Sequence, residues 1–92
     1  MLETMLTQHA SARMQQRGIA AREVRELLAF GRDVHDRHGG IVVVFDRQAR
    51  RDARRAGVPA ARLDRLAGVY LVEVGGGAIA TVGHRTRRLR RR

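Results

Sequence analysis

The stretch Val69-Tyr70-Leu71-Val72-Glu73-Val74-Gly75-Gly76-Gly77-Ala78-Ile79-Ala80-Thr81-Val82 decides the fold. Two apolar runs flank three consecutive glycines, and glycine alone turns a chain back through positive φ without steric cost. The stretch therefore predicts a β-hairpin, and with it an antiparallel sheet. A lone hairpin is at best marginally stable in water, so the remaining chain has to supply more strands and a covering layer.

Working backward, Ile41-Val42-Val43-Val44-Phe45 is apolar on both alternations and predicts a central strand, Ile41–Asp46, covered on both sides. A short strand over Asp33–Arg37 and a turn at His38-Gly39-Gly40 would precede it. A helical insertion separates it from the hairpin. Asp46 can cap a helix Arg47–Ala56, whose apolar edge is only Ala49, Ala53 and Ala56 and whose five arginines place it on the surface. Gly57 stops that helix. Pro59 suits the first turn of one more, Pro59–Leu66, anchored by Leu63 and Leu66.

Two helices open the chain. Thr7 is a suitable N-cap for Gln8–Arg17, in which Leu6, Ala10 and Met14 make a small apolar stripe, and Gly18 supplies the left-handed closing position. Val24, Leu27 and Leu28 predict a second helix over Ala20–Phe30, ended by Gly31. Glu23 stands where the second half of a capping box belongs, whereas Ala20 has no oxygen for the first half. The order of elements predicts an α+β fold: two N-terminal helices packed on a three- to four-stranded antiparallel sheet, with a helical insertion before the C-terminal hairpin. Residues 1–86 would form one domain and residues 87–92 an arginine-rich tail.

Composition narrows the function. All 19 basic residues are arginine, against 9 acids, for a net charge of +10 on 92 residues. Such a chain repels itself unless a polyanion is near, and nucleic acid is the commonest one. With no cysteine, disulfides and thiolate metal sites are excluded. No apolar run nears the ~20 residues of a membrane span, and the start lacks a secretory layout, so a cytoplasmic protein without membrane attachment is expected.

Chemistry concentrates on the first long helix. His9, Arg13 and Arg17 recur every four residues and so share one edge, presenting an imidazole and two guanidiniums. A titratable group beside two fixed cations suits an anion, most simply a phosphate backbone. The competing use of Arg13 and Arg17 is pairing with Glu23 or Glu26 on the next helix. His35 and His38, near Asp33 and Asp36, would point to opposite faces of a strand, so no metal site is predicted there. The three glycines are a turn rather than a phosphate loop, since no helix and no Lys-Ser/Thr follows, and no cofactor is predicted. The terminal run, with Arg87, Arg88, Arg90 and Arg91, reads as an electrostatic arm.

The helix motif H-x3-R-x3-R-G-I, a second helix ending in glycine, and a last strand reading I-x-T-V-x-H-R together resemble a widespread bacterial family of small domains. That family is grouped with the RelE- and BrnT-like ribonuclease toxins, in the fold that also holds barnase, EndoU and the colicin tRNase domains. The resemblance implies RNA bound along the exposed face of a curved antiparallel sheet. It implies metal-independent cleavage by attack of the ribose 2′-hydroxyl on the adjacent phosphate, and a cognate antitoxin or acidic partner protein. It matches His9 and Arg13 on the helix, and Thr81, His84 and Arg85 on the last strand.

The chemistry asks for the same residue types. One group takes the 2′-hydroxyl proton, another protonates the 5′-oxygen, and cations hold the phosphorane. His9 and His84 would be the acid–base pair, with Arg13 and Arg85 on the phosphate and Arg17 and Thr81 in binding roles. A departure from most RNA readers is the shortage of stacking aromatics: Tyr70 and two phenylalanines are all the chain has. Three functions stay open from sequence: a toxin-type endoribonuclease, a non-catalytic nucleic-acid-binding module, and an interaction or inhibitor protein with a basic face.

Overall fold

The computed structural model describes residues 2–35 and 39–84. The order of elements is α1 (Leu2–Met5), α2 (Gln8–Arg17), α3 (Ala21–Phe30), β1 (Arg32–His35), β2 (Ile41–Val44), α4 (Arg47–Arg55), α5 (Ala60–Leu66), β3 (Val69–Val74) and β4 (Ala78–His84). The four strands form one antiparallel sheet in the order β1-β2-β3-β4. This is the α+β arrangement expected, with the hairpin at its C-terminal end.

Local chemistry accounts for most boundaries. The Thr7 hydroxyl accepts the Ala10 N–H at 3.1 Å, and Gly18 closes α2 at φ 66°. Asp46 caps α4 by accepting the Ala49 N–H at 2.9 Å, which ends β2 at Val44 rather than at the expected Asp46. Half of the capping box at α3 forms, with Glu23 accepting the Ala20 N–H at 3.1 Å. Pro59 is the N-cap of α5 in extended conformation rather than its first helical residue. β1 begins at Arg32, one residue earlier than expected; Asp36, Arg37 and His38 lie outside the described residues.

Strand register sorts side chains onto two faces, because paired residues share a face and successive ones alternate. Val43, Val69, Leu71, Ile79 and Val82 point toward the helices and join one core with Ala10, Val24, Leu27, Leu63 and Leu66. Leu71, Leu27, Leu66, Ile79 and Val82 are wholly buried. The other face carries Val34, Val42, Val44, Tyr70, Val72 and Val74, none of which belongs to that core. Val34 and Val74 are exposed there. β2 is therefore central, as its composition predicts, but among the described residues helices cover only one of its faces, not both as expected.

Two features lie beyond the sequence-based expectation. A short helix, α1, precedes α2, and the link between them runs beside the sheet edge. Leu6 makes a parallel bridge to Ile79, the Thr7 N–H donates to the Ile79 carbonyl at 3.1 Å, and the Thr7 hydroxyl donates to the Ala80 carbonyl at 3.2 Å. β4 is thereby not left as a bare edge, and the start of α2 is fastened to it.

Candidate functional site

The site begins at that fastening. Thr7 ties the chain to Ile79 and Ala80, so the first turn of α2, which carries His9, starts one strand residue short of Thr81. Ala10 is wholly buried and Met14 packs against the core, which leaves His9 exposed on the outer side of α2 and Arg13 and Arg17 half-buried. α2 packs on β4, with Ala10 and Met14 in the core, and the helix periodicity puts His9, Arg13 and Arg17 on the edge next to that packed face.

The competing use of these arginines is resolved by the partners of Glu23 and Glu26. Glu23 is buried and accepts from the Arg65 Nε at 3.0 Å, and Glu26 accepts from the Arg62 Nε through both carboxylate oxygens at 2.9 Å. Both acids of α3 are therefore claimed by α5, not by α2. The Arg13 Nε is shielded from solvent and has no hydrogen-bond partner among the described residues. The residue as a whole is half-buried, so the outer part of the guanidinium, and not the shielded Nε, is what an acceptor from outside can meet.

The last strand supplies only part of what the resemblance implies. His84 is the final residue of β4, paired with Val69, and exposed on the same side of the sheet as the helices. Thr81 pairs with Val72 and faces the open side. A separation of three along a strand puts the two side chains on opposite faces, so Thr81 and His84 do not converge. This corrects the expectation that the strand brings both beside His9 and Arg13. His84 also lies four residues beyond the Ala80 anchor, about 13 Å along the strand. Arg85 and the tail arginines Arg87, Arg88, Arg90 and Arg91 lie outside the described residues.

A second concentration of charge is on α4. Arg47, Arg51, Arg54 and Arg55 are exposed, while Ala49 and Ala53 face the core. Arg50 alone on this helix has an acidic partner among the described residues, Asp64 at 2.7 Å. The Asp46 carboxyl is held below the usual carboxylate range, chiefly by the Ala49 N–H it caps and further by the Arg32 guanidinium, against an opposing push from burial. Sequence reading located the five arginines of α4 but not their significance. Their i, i+4, i+7, i+8 spacing was the available signal.

Among the described residues no three His, Asp or Glu side chains gather around a common point, and no helix is long and apolar enough to cross a membrane. The model of a family known as a domain of unknown function, DUF4258, matches residues 6–65, roughly two-thirds of the chain, and the chain belongs to that family. The match takes in α2 with His9, Arg13 and Arg17 and ends within α5, before the hairpin that carries Thr81 and His84. No curated protein and no solved structure matches the chain.

Proposed function

We propose that this member of the DUF4258 family binds RNA by its phosphates, with the His9–Arg13–Arg17 edge of α2 as one contact surface. The single observation that carries this reading is the pairing of Glu23 and Glu26 with Arg65 and Arg62, so that among the described residues the α2 guanidiniums have no acidic partner. The net charge of +10 makes a polyanion the natural ligand, and the resemblance to ribonuclease toxins points to RNA among polyanions. A basic edge set beside a sheet strand meets a backbone phosphate with directional N–H donors rather than diffuse charge.

A second reading, metal-independent cleavage of the bound RNA, is supported by the exposed His9 one helical turn from Arg13, whereas His84, although on the helix side of the sheet, stands about 13 Å along β4 from the fastening at the start of α2. In it, the His9 imidazole serves the proton transfer at the reacting phosphate that Arg13 holds.

Fluorescence anisotropy with a labelled RNA, in excess EDTA and over a range of salt, tests both. Wild type is expected to bind with an affinity that falls steeply with salt, and Arg13→Ala to weaken binding. His9→Ala is expected to retain binding while losing any cleavage seen on a gel. Absence of RNA binding even at about 0.05 M salt would overturn the proposal. Binding without cleavage by wild type would remove the second reading alone.

A further inference from the structure

We infer that the outward face of α4 is a docking surface for the phosphate backbone of double-helical RNA, read by shape rather than by base. The inference rests on the RNA reading above and adds the substrate class and a second contact surface.

The helix is built as a backbone contact. Ala49 and Ala53 point into the core, and Arg47, Arg51, Arg54 and Arg55 fall on the opposite side of the wheel. They span nine residues, about 12 Å of helix axis. A double helix carries one negative charge per ~1.7 Å of its axis, so a face of that length meets several phosphates at once. Arg51, Arg54 and Arg55 line an open hollow of about 430 Å³. Arg51 donates to the neutral Gln48 amide oxygen at 3.1 Å, and among the described residues neither it nor Arg54 or Arg55 has an acidic partner. These guanidiniums are exposed, so phosphate reaches them by displacing solvent and counterions, with no ion pair among the described residues to break first.

The choice of a duplex comes from the aromatics. Readers of single strands stack bases on exposed aromatic rings. Here Phe45 is buried, Phe30 packs against the core, and Tyr70 lies half-buried against Gly83, where an added Cβ would meet its hydroxyl and ring at 3.0–3.2 Å. The chain has no other aromatic residue, and α4 has none. Cations without stacking platforms match the double-stranded form, which is recognised through phosphates and shape across its grooves.

The test compares the full chain with R51A/R54A/R55A. One ligand is an RNA duplex of roughly 20 base pairs, longer than the ~16 a double-strand reader spans, and the other is one of its strands alone. Anisotropy titrations run from about 0.05 to 0.2 M salt. Wild type should prefer the duplex. The triple variant should lose roughly 100-fold in duplex affinity at about 0.15 M salt, with the slope of log K against log salt shallower by about 2.7, from three contacts at about 0.9 each. Circular dichroism checks the fold. Should the triple variant fail to fold, Arg54→Ala alone should flatten the slope by about 0.9.

Wild type that binds neither form sinks the RNA reading itself. Wild type that binds duplex while the variant keeps its affinity and slope overturns the role of α4 and leaves RNA binding standing. A wild type that prefers the single strand overturns the duplex.

Discussion

Gly31 offers the sharpest test of the packing that positions the helices on the sheet. At the sequence level it looks like an ordinary glycine that ends a helix through a left-handed turn, but its φ is −68° and ψ 166°, a conformation open to any residue. The glycine is required by space. A Cβ here would stand 2.4 Å from the Leu27 carbonyl oxygen, 2.7 Å from the Val43 Cγ1 and 3.0 Å from the Val44 carbonyl oxygen. Two of those three atoms are backbone, one in the helix turn that Gly31 closes and one in β2, so relief means both distorting the end of α3 and moving it off the strand. Overpacking of this kind costs ~3 kcal/mol, the upper part of its usual range. Replacing glycine also stiffens the unfolded chain and returns ~0.7 kcal/mol, leaving a net loss of ~2 kcal/mol for Gly31→Ala.

Gly18→Ala is the control, since Gly18 is left-handed at φ 66° and ψ 33° with nothing within 4 Å of an added Cβ. Its cost is conformational, ~1–2 kcal/mol before the same unfolded-state gain, so ~0.5–1 kcal/mol net. Urea unfolding followed by circular dichroism measures both, and thermal melts should show Gly31→Ala lower by ~8–16 °C. A Gly31→Ala protein as stable as wild type, or more stable than Gly18→Ala, would refute the close approach of α3 to β2.

Three other substitutions probe the stitching around the site. Thr7→Ala removes both the cap on Ala10 and the bond to the Ala80 carbonyl, and should cost ~1–2 kcal/mol in urea unfolding, whereas Thr7→Ser should stay within ~0.5 kcal/mol of wild type. Asp46→Ala should cost ~1–2 kcal/mol at neutral pH. Because folding lowers the Asp46 pKa, the charged form's contribution is present above the unfolded value of about 3.9 and is lost as pH falls below it, so the gap to wild type should narrow in melts taken through acid. Arg65→Ala should cost ~2 kcal/mol, because Glu23, only 5% exposed, is left as an unpaired buried carboxylate. Arg50→Ala should cost no more than ~0.5 kcal/mol, since its partner Asp64 is 71% exposed; equal losses in the two melts would contradict this ordering.

What was legible in the sequence is what neighbouring residues decide among themselves. Thr7 and Gly18 bound α2 at the expected residues because capping is chemistry within one turn. The three glycines mark the hairpin, with Gly76 and Gly77 at positive φ, for the same reason. The bridge from Leu6 to Ile79 and the partners of Glu23 and Glu26 were not legible, because they join residues brought near only by the finished fold. Gly31 belongs to that class too: its neighbours Val43 and Val44 come from another element. The split between Thr81 and His84 is different. Strand alternation over a spacing of three already puts them on opposite faces, and only the resemblance of the motif held them together.

The acids explain why the basic surface survives folding. Of the described acids, Glu23, Glu26, Asp46 and Asp64 each pair with an arginine from a different element, joining α3 to α5, the start of α4 to β1, and α5 to α4. The pairs of Glu23, Glu26 and Asp46 sit between helices or at a helix start, where a carboxylate also caps or bridges, so this part of the negative charge is held within the architecture. Among the described residues, the arginines without an acidic partner include Arg13 and Arg17 on α2 and Arg47, Arg51, Arg54 and Arg55 on α4, helices that pack against different parts of the core, α2 on β4 and α4 on α3 and α5. Scattered arginines would give a diffuse positive cloud. Here the helix period aligns them into two rows, and rows of guanidiniums on rigid helices meet an ordered line of phosphates with less loss of side-chain freedom than scattered ones do. A ligand that binds only the folded chain then adds stability by mass action, ~2.7 kcal/mol at a hundred times its Kd, offsetting the self-repulsion that a charge of +10 imposes on the free domain.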